Sequence, residues 1–312
     1  MSSKLNNLTV IVNSCDKYDD LWQPFFQLFK KYGGELAKCP IVLNTESKKF
    51  AYEGLNIVCP NNYSEDVAWG KRLRDTLKTI KTDYVFFLLD DFFLQSEVDE
   101  EVFLNCIKWL DENAKVGAFN FISIEKAKAE HADFKGFCLM PNNLAYRLNA
   151  QACIWRKEFL FNSLLDNESP WDWEVLGNVR NSQIYADVEV YSMKYGVRSP
   201  YNYNFINYEQ SNEDNILVIS PVMRGKWAVE CIENCFKENN IDIDFSKRGY
   251  YYPEKESAFK NFFTKVKKLL NIKKTLANRK AHKLEQERKY NELVTIPVQE
   301  HLKKQGEINA KK

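Results

Sequence analysis

The stretch Tyr84-Val85-Phe86-Phe87-Leu88-Leu89-Asp90-Asp91-Phe92-Phe93 decides the fold. Its six leading apolar residues show no polar alternation, which is the pattern of a strand buried on both faces in a parallel sheet. The run stops on two adjacent carboxylates, and in open α/β sheets ligands bind beyond the carboxyl ends of the strands. Two like charges this close repel unless a cation stands beside them. A divalent metal holding a diphosphate meets that need, because Mg2+ and Mn2+ take oxygen ligands and leave positions open for phosphate. Asp90 and Asp91 are therefore candidate metal ligands. The plainer alternative has one carboxylate capping the next turn and the other solvated.

Outward from this strand, elements alternate. Leu8–Asn13 is a β-branched strand, Pro40–Asn44 a second and Leu55–Val58 a third, with Val116–Ile122 following the central one. Leu21, Trp22, Phe25, Phe26, Leu28 and Phe29 recur at helical spacing, with Pro24 expected in the first turn and Gly33-Gly34 closing the helix. Trp69–Ile80 and Glu100–Leu110 are further helices, the first with a basic face of Lys71, Arg72, Arg74 and Lys78. Strands and helices alternating in this way predict an α/β fold with a largely parallel, Rossmann-like sheet. Farther on, residues 125–150 read as loop and short strands, 151–165 as a helix, 166–182 as an irregular Trp-rich segment, 184–210 as strands or loops, and 221–240 as a helix.

The first strand ends in the turn Ser14-Cys15-Asp16, where a parallel sheet presents groups to a nucleotide. Asp16 is placed to accept from a base or ribose, and Arg72 to counter phosphate charge, unless it is only a surface ion pair. Neither GxGxxG nor GxxxxGK[ST] occurs, which disfavours a dinucleotide fold and a P-loop. Eight scattered cysteines without a CxxC pair read as buried free thiols rather than a zinc site. His131 reads as a loop residue.

Strand, Asn13-Ser-Cys-Asp-Lys-Tyr18, helix, and then the run from Trp69 to Leu94, WGKRLRDTLKTIKTDYVFFLLDDFFL, resemble the nucleotide-sugar half of a GT-A glycosyltransferase. The later string from Asn149 to Glu174, NAQACIWRKEFLFNSLLDNESPWDWE, resembles the acceptor half of bacterial surface-polysaccharide transferases, those of capsule and O-antigen (lipopolysaccharide) synthesis. The family's usual acidic motif is Asp-x-Asp, whereas here Phe92 follows Asp90-Asp91. The resemblance implies a catalytic domain over residues 1–255, split into a nucleotide-sugar half (1–122) and an acceptor half (123–255). It places Asp16 near the nucleoside, Arg72 near the donor, and Asp90 and Asp91 at the metal and diphosphate. In inverting members a carboxylate at the start of an acceptor-side helix is the base. Glu168, Asp172 and Glu174 are the candidates, with Glu174 preferred, Asp172 second, and Trp171 and Trp173 beside them as sugar-stacking or core residues. Gln151, in a polar turn, is a candidate for hydrogen bonding to donor or acceptor. The implied activity is transfer of a sugar from a nucleotide donor, UDP-linked by preference, to a surface glycan or lipid-linked saccharide. A nucleotidyltransferase and a catalytically silent saccharide-binding scaffold are the alternatives.

The net charge of +1 conceals a split. Residues 256–312 carry 15 Lys and Arg against 6 Asp and Glu, leaving 29 basic and 37 acidic groups in 1–255: a basic tail of +9 on an acidic body of −8. Phe259, Phe262, Phe263, Val266, Leu269 and Leu270 make one helical apolar stripe bordered by lysines. Over residues 259–274 that pattern suits an anionic membrane surface, or else docking on the body or in a homo-oligomer. Interleaved glutamates and the lack of a nucleic-acid module argue against nucleic acid. The end beyond Pro297 is expected to fray. With no signal peptide and no apolar run long enough to span a bilayer, the expected location is cytoplasmic, peripheral at the inner face of the cell membrane.

Overall fold

The computed structural model describes residues 3–123, 129–203, 206–209, 216–252 and 272–310. The chain divides into two compact units, Met1–Tyr250 and Tyr251–Lys312.

The first unit is α/β. Its eight-stranded sheet runs β3 (Ile57–Val58), β2 (Ile41–Asn44), β1 (Leu8–Asn13), β4 (Tyr84–Leu89), β7 (Cys153–Arg156), β5 (Val116–Asn120), β8 (Glu189–Met193), β6 (Phe137–Leu139). β6 and β7 run against the other six, so the sheet is mostly parallel. β4 is interior as expected, pairing with β1 from Leu8↔Tyr84 to Asn13↔Leu89 and with β7 on its other side.

Helices cover both faces. α1 (Asp19–Tyr32), α2 (Trp69–Thr79), α3 (Glu100–Glu112) and α4 (Lys157–Ser163) follow the strands. Alternation sends Ile11, Val85 and Phe87 into a cluster with Leu73 and Leu77 of α2, Leu160 of α4, Trp155 and Trp173. Phe86 points the other way, onto Phe103 of α3 with ring centroids 4.9 Å apart. Pro24 is not in the first turn: α1 already begins at Asp19, so the proline lies inside the helix.

Three expectations for the later part of this unit are corrected. The segment 151–165 is a strand and then a helix, because Cys153–Arg156 fills the slot between β4 and β5 and its apolar side chains serve both neighbours. Residues 166–169 hold a turn, but from 170 the segment is regular: α5 (Pro170–Asp172), a π turn (Trp173–Gly177) and α6 (Asn178–Ile184) form one continuous helical run. The predicted helix 221–240 starts late, at α7 (Val229–Glu238), after a small hairpin of β11 (Val222–Met223) and β12 (Lys226–Trp227). Strands β9 (Ile206–Glu209) and β10 (Ile216–Ile219) form a second antiparallel pair.

The second unit is helical: α8 (Ile272–Tyr290), a π turn (Asn291–Thr295) and α9 (Ile296–Ala310). The end does not fray at Pro297. A π turn that ends with Ile296 N donating to Asn291 O stands just before it, and the helix continues to Ala310. Arg288 pairs with Glu285 at 2.7 Å and with Glu292 at 2.9 Å. The apolar stripe 259–270 lies outside the described residues. Among those described, no helix is long and apolar enough to cross a membrane.

Candidate active site

The parallel strands deliver their carboxyl ends to one edge, and a buried polar network fixes that edge. Asn13 closes β1 and Asn44 closes β2, opposite one another in register. Asn13 Oδ1 accepts from Asn44 Nδ2 at 2.8 Å and from Trp69 Nε1 at 2.9 Å, while Asn44 Oδ1 accepts from Asn61 Nδ2 at 2.8 Å and Thr76 Oγ1 at 2.9 Å. A satisfied network in a low-dielectric setting holds the strand ends and the start of α2 in one arrangement.

Beyond this edge stands Ser14, which accepts from Trp22 Nε1 at 2.7 Å and donates to Asp90 Oδ2. Burial, and then the neighbouring Asp91 charge, push the Asp90 carboxyl well above the usual range. Burial likewise raises Asp91 to about 6, against a hydrogen bond from Ser220 and the charge of Arg248. Asp91 Oδ1 is buried and has no hydrogen-bond partner. Two crowded acids, one with an orphaned oxygen, make a site short of positive charge.

Asp16 lies at the same edge, engaged by the loop that follows β2. Its carboxylate accepts from Ser47 N at 3.1 Å, Ser47 Oγ at 2.7 Å and Lys48 N at 3.1 Å, which holds it below the usual carboxylate range despite some burial. It ties the loop after β2 to the loop after β1. Arg72 is not on the exposed basic face of α2; it is 6% exposed and pairs with Glu46 at 2.8 Å, while Glu46 Oε2 also accepts from Asp16 N at 2.5 Å. Arg72 Nε and Nη1 are buried without partners, so most of its donor capacity is unspent.

The segment 166–168 meets this edge through α2. Its first free N–H groups are capped by main-chain carbonyls, Gly70 N to Glu168 O and Lys71 N to Asp166 O, each at 3.0 Å. The approach needs a glycine: a Cβ on Gly70 would stand 2.0 Å from the Leu165 carbonyl oxygen. The three acids of this region separate by role. Glu168 is fully buried and paired with Arg180, which makes it a structural ion pair. Asp172 forms a capping box with Ser169, whose Oγ donates to Asp172 Oδ2 at 2.7 Å, so this carboxylate is engaged at the helix start. Glu174 sits in the π turn, where one carboxylate oxygen accepts from Ala150 N at 2.7 Å and burial raises its proton affinity. π turns recur at functional sites. Gln151, next to Ala150, accepts from Tyr203 OH at 3.0 Å, and Tyr203 stacks on Phe92 at 4.3 Å, two residues past Asp90. Trp173 is core, donating to Ser163 Oγ at 3.1 Å, whereas Trp171 is 75% exposed. His131 stacks on Phe134, away from this edge, as a loop residue.

Sequence inspection missed four contributors. Glu46 lies two residues past β2, where the rule on strand ends would have flagged it. Ser220, Tyr203 and Arg248 come from afar. Arg248 reaches back to Asp20, with Nε–Oδ2 at 2.6 Å, and lies over the Tyr18 ring at 4.1 Å. None of the eight cysteines is in a disulfide; Cys15 and Cys59 are half-buried and the other six buried.

No protein-family model and no curated protein sequence matches the chain. Among solved structures it is similar to residues 1–349 of Staphylococcus aureus TarS, with 13% identity and a TM-score of 0.42 over 61% of this chain and 58% of that one. It is also similar to mannosyltransferase PcManGT of Pyrobaculum calidifontis, in complex with GDP-Man and Mn2+, with 12% identity and a TM-score of 0.35 over 52% and 48%. A third is glucosyl-3-phosphoglycerate synthase of Mycobacterium tuberculosis, in complex with Mn2+ and UDP-glucose, with 11% identity and a TM-score of 0.37 over 62% and 71%. The matched region thus spans less than two thirds of the TarS chain, and overlap at this level assigns no activity to the present one.

Proposed function

We propose that the chain is a GT-A-like, inverting glycosyltransferase that moves a sugar from a UDP-linked donor to a hydroxyl of a saccharide acceptor. The observation that carries this is the pairing, at one sheet edge, of a cation-poor acidic pair and an under-used buried arginine with a carboxylate of raised proton affinity. The first two suit a diphosphate and the last suits a base.

A divalent cation, Mn2+ or Mg2+, fits the residues present, because Asp91 Oδ1 is buried and lacks any partner. Asp91 and Asp90 would hold it, and among the described residues no group of three His, Cys, Asp or Glu could do so alone, leaving its other positions to phosphate oxygens and water. Bound there it would supply counter-charge to the diphosphate. Arg72, through Nε and Nη1, donates to the donor. Glu174 removes the acceptor proton. The hydroxyl oxygen then bonds to the anomeric carbon as the bond to the diphosphate oxygen breaks, and the leaving oxygen keeps the electron pair. Gln151, held by Tyr203, orients a sugar hydroxyl. In the tail, residues 259–274 would bring the enzyme to an anionic membrane surface, and with it to a lipid-linked or growing surface glycan.

Incubation with a panel of nucleotide sugars and Mn2+ tests the proposal. Release of UDP from at least one UDP-sugar is expected. UDP binding with no release from any donor would leave a silent binding protein and overturn the enzymatic claim.

A further inference from the structure

Trp171 is the residue this fold has least reason to leave in water. At 75% exposed it carries the most exposed indole among the described residues, on a rigid support. Its helix start is fixed by the Ser169 and Asp172 capping box, with Pro170 at the first position. Trp173, two residues on, points inward and packs with Trp69 and Trp155 at 5.7 and 5.8 Å, so the exposure of Trp171 is a property of its face and not of a loose segment. That face contains Glu174 and Val175, three and four residues ahead, with Val175 also 51% exposed. Glu174 is held on Ala150, next to Gln151, so the indole stands one helical turn from the carboxylate at the sheet edge.

We propose that Trp171, with Val175 at its side, is the stacking platform for a pyranose ring of the acceptor. The platform rests on the assignment of Glu174 to the acceptor side. An indole on a preset backbone can offer its face to the C–H face of a sugar, and ordering two χ angles costs little conformational entropy. A pyranose satisfies both features of this face, since its C–H side meets Trp171 while its hydroxyl rim reaches toward Glu174. A second copy of the chain would use only the apolar side and would leave Glu174 under it. Trp171 therefore selects the acceptor class, a hexopyranoside with one unobstructed C–H face, and takes no part in donor binding.

The test uses the full-length protein and saturation-transfer NMR with methyl β-glucoside, β-galactoside, α-mannoside and N-acetyl-β-glucosaminide as probes. UDP binding is followed by calorimetry in the same samples. Wild type should transfer saturation to the ring C–H protons of at least one glycoside. Trp171→Ala should weaken that glycoside on the order of tenfold or more, and Trp171→Phe should retain most of the affinity, with UDP affinity the same in all three. An unchanged glycoside affinity in Trp171→Ala, or no glycoside bound by wild type, overturns the platform. Wild type that dimerises through this face, with Trp171→Ala monomeric and neither binding sugar, overturns it in favour of a subunit contact. Failure of UDP to bind wild type counts against the donor site instead, and leaves a glycoside response that tracks Trp171 standing.

Discussion

Replacing Asp91 by Asn should stabilise the protein while disabling the proposed donor site. Burial lifts the Asp91 carboxyl from an ordinary value of 3.8 to about 6. Its native proton affinity therefore exceeds its unfolded one, and the native state is penalised as pH rises between those two values. The penalty is absent below pH 3.8 and complete above about pH 6. At ~1.4 kcal/mol per pH unit the charged form costs about 3 kcal/mol. Asn matches the shape of the protonated acid and is neutral at every pH, so it removes the cost; it also relieves Asp90, whose carboxyl is pushed up partly by the Asp91 charge. For a unit of this size the gain at pH 8 is about 6–12 °C in Tm. Thermal unfolding in chelator at pH 8, compared with the lowest pH at which both proteins fold, measures it. The gap should narrow toward low pH, and the variant should lose any stabilisation that Mn2+ with UDP gives wild type. A variant no more stable than wild type at pH 8, or a gap that ignores pH, would refute the electrostatic reasoning.

Glu174→Gln should lower kcat by ~10^2–10^4 with the fold intact, because the amide oxygen can still accept from Ala150 N while the proton acceptor is lost; near-normal turnover removes Glu174 as the base. In wild type, kcat/KM should rise with pH through a midpoint above the ordinary 4.5, since burial makes Glu174 harder to ionise and only its ionised form acts. Asp172→Ala should cost about 1 kcal/mol of stability by breaking the capping box while kcat/KM per folded molecule stays at wild type; a large loss of turnover would return Asp172 to the chemistry.

The central strand and the carboxylates at its end were legible because their signals are local. Tyr84–Leu89 carries a continuous apolar run that stops on charge, and Ser14 and Arg72 sit in the turn and helix beside it. Arg72's burial was not legible: helical spacing groups it with Lys71, Arg74 and Lys78, and only the long-range pairing with Glu46 draws it inward. The acceptor half hid its structure for related reasons. Cys153–Arg156 runs directly into α4 without a turn residue between them, so one apolar stretch reads as a single helix until β4 and β5 claim its first four residues. The run 170–184 contains Gly177, Asn178 and Asn181, weak helix formers, and its helicity comes from tertiary contacts: Asn181 Nδ2 donates to Ser163 O at 3.1 Å, and Arg180 pairs with Glu168. Spacing could not tell Glu168, Asp172 and Glu174 apart, since an ion pair, a helix cap and a carboxylate held by one main-chain N–H look alike in sequence.

The most direct test of the donor site is a calorimetric titration of UDP, with Mn2+ present, into wild type and into the Asp90→Asn, Asp91→Asn double variant. UDP binding to wild type that weakens at least tenfold in the double variant, and in wild type when the metal is chelated, is the predicted result. UDP binding that ignores both carboxylates, or no UDP binding by wild type, would contradict a nucleotide-sugar site at the end of β4.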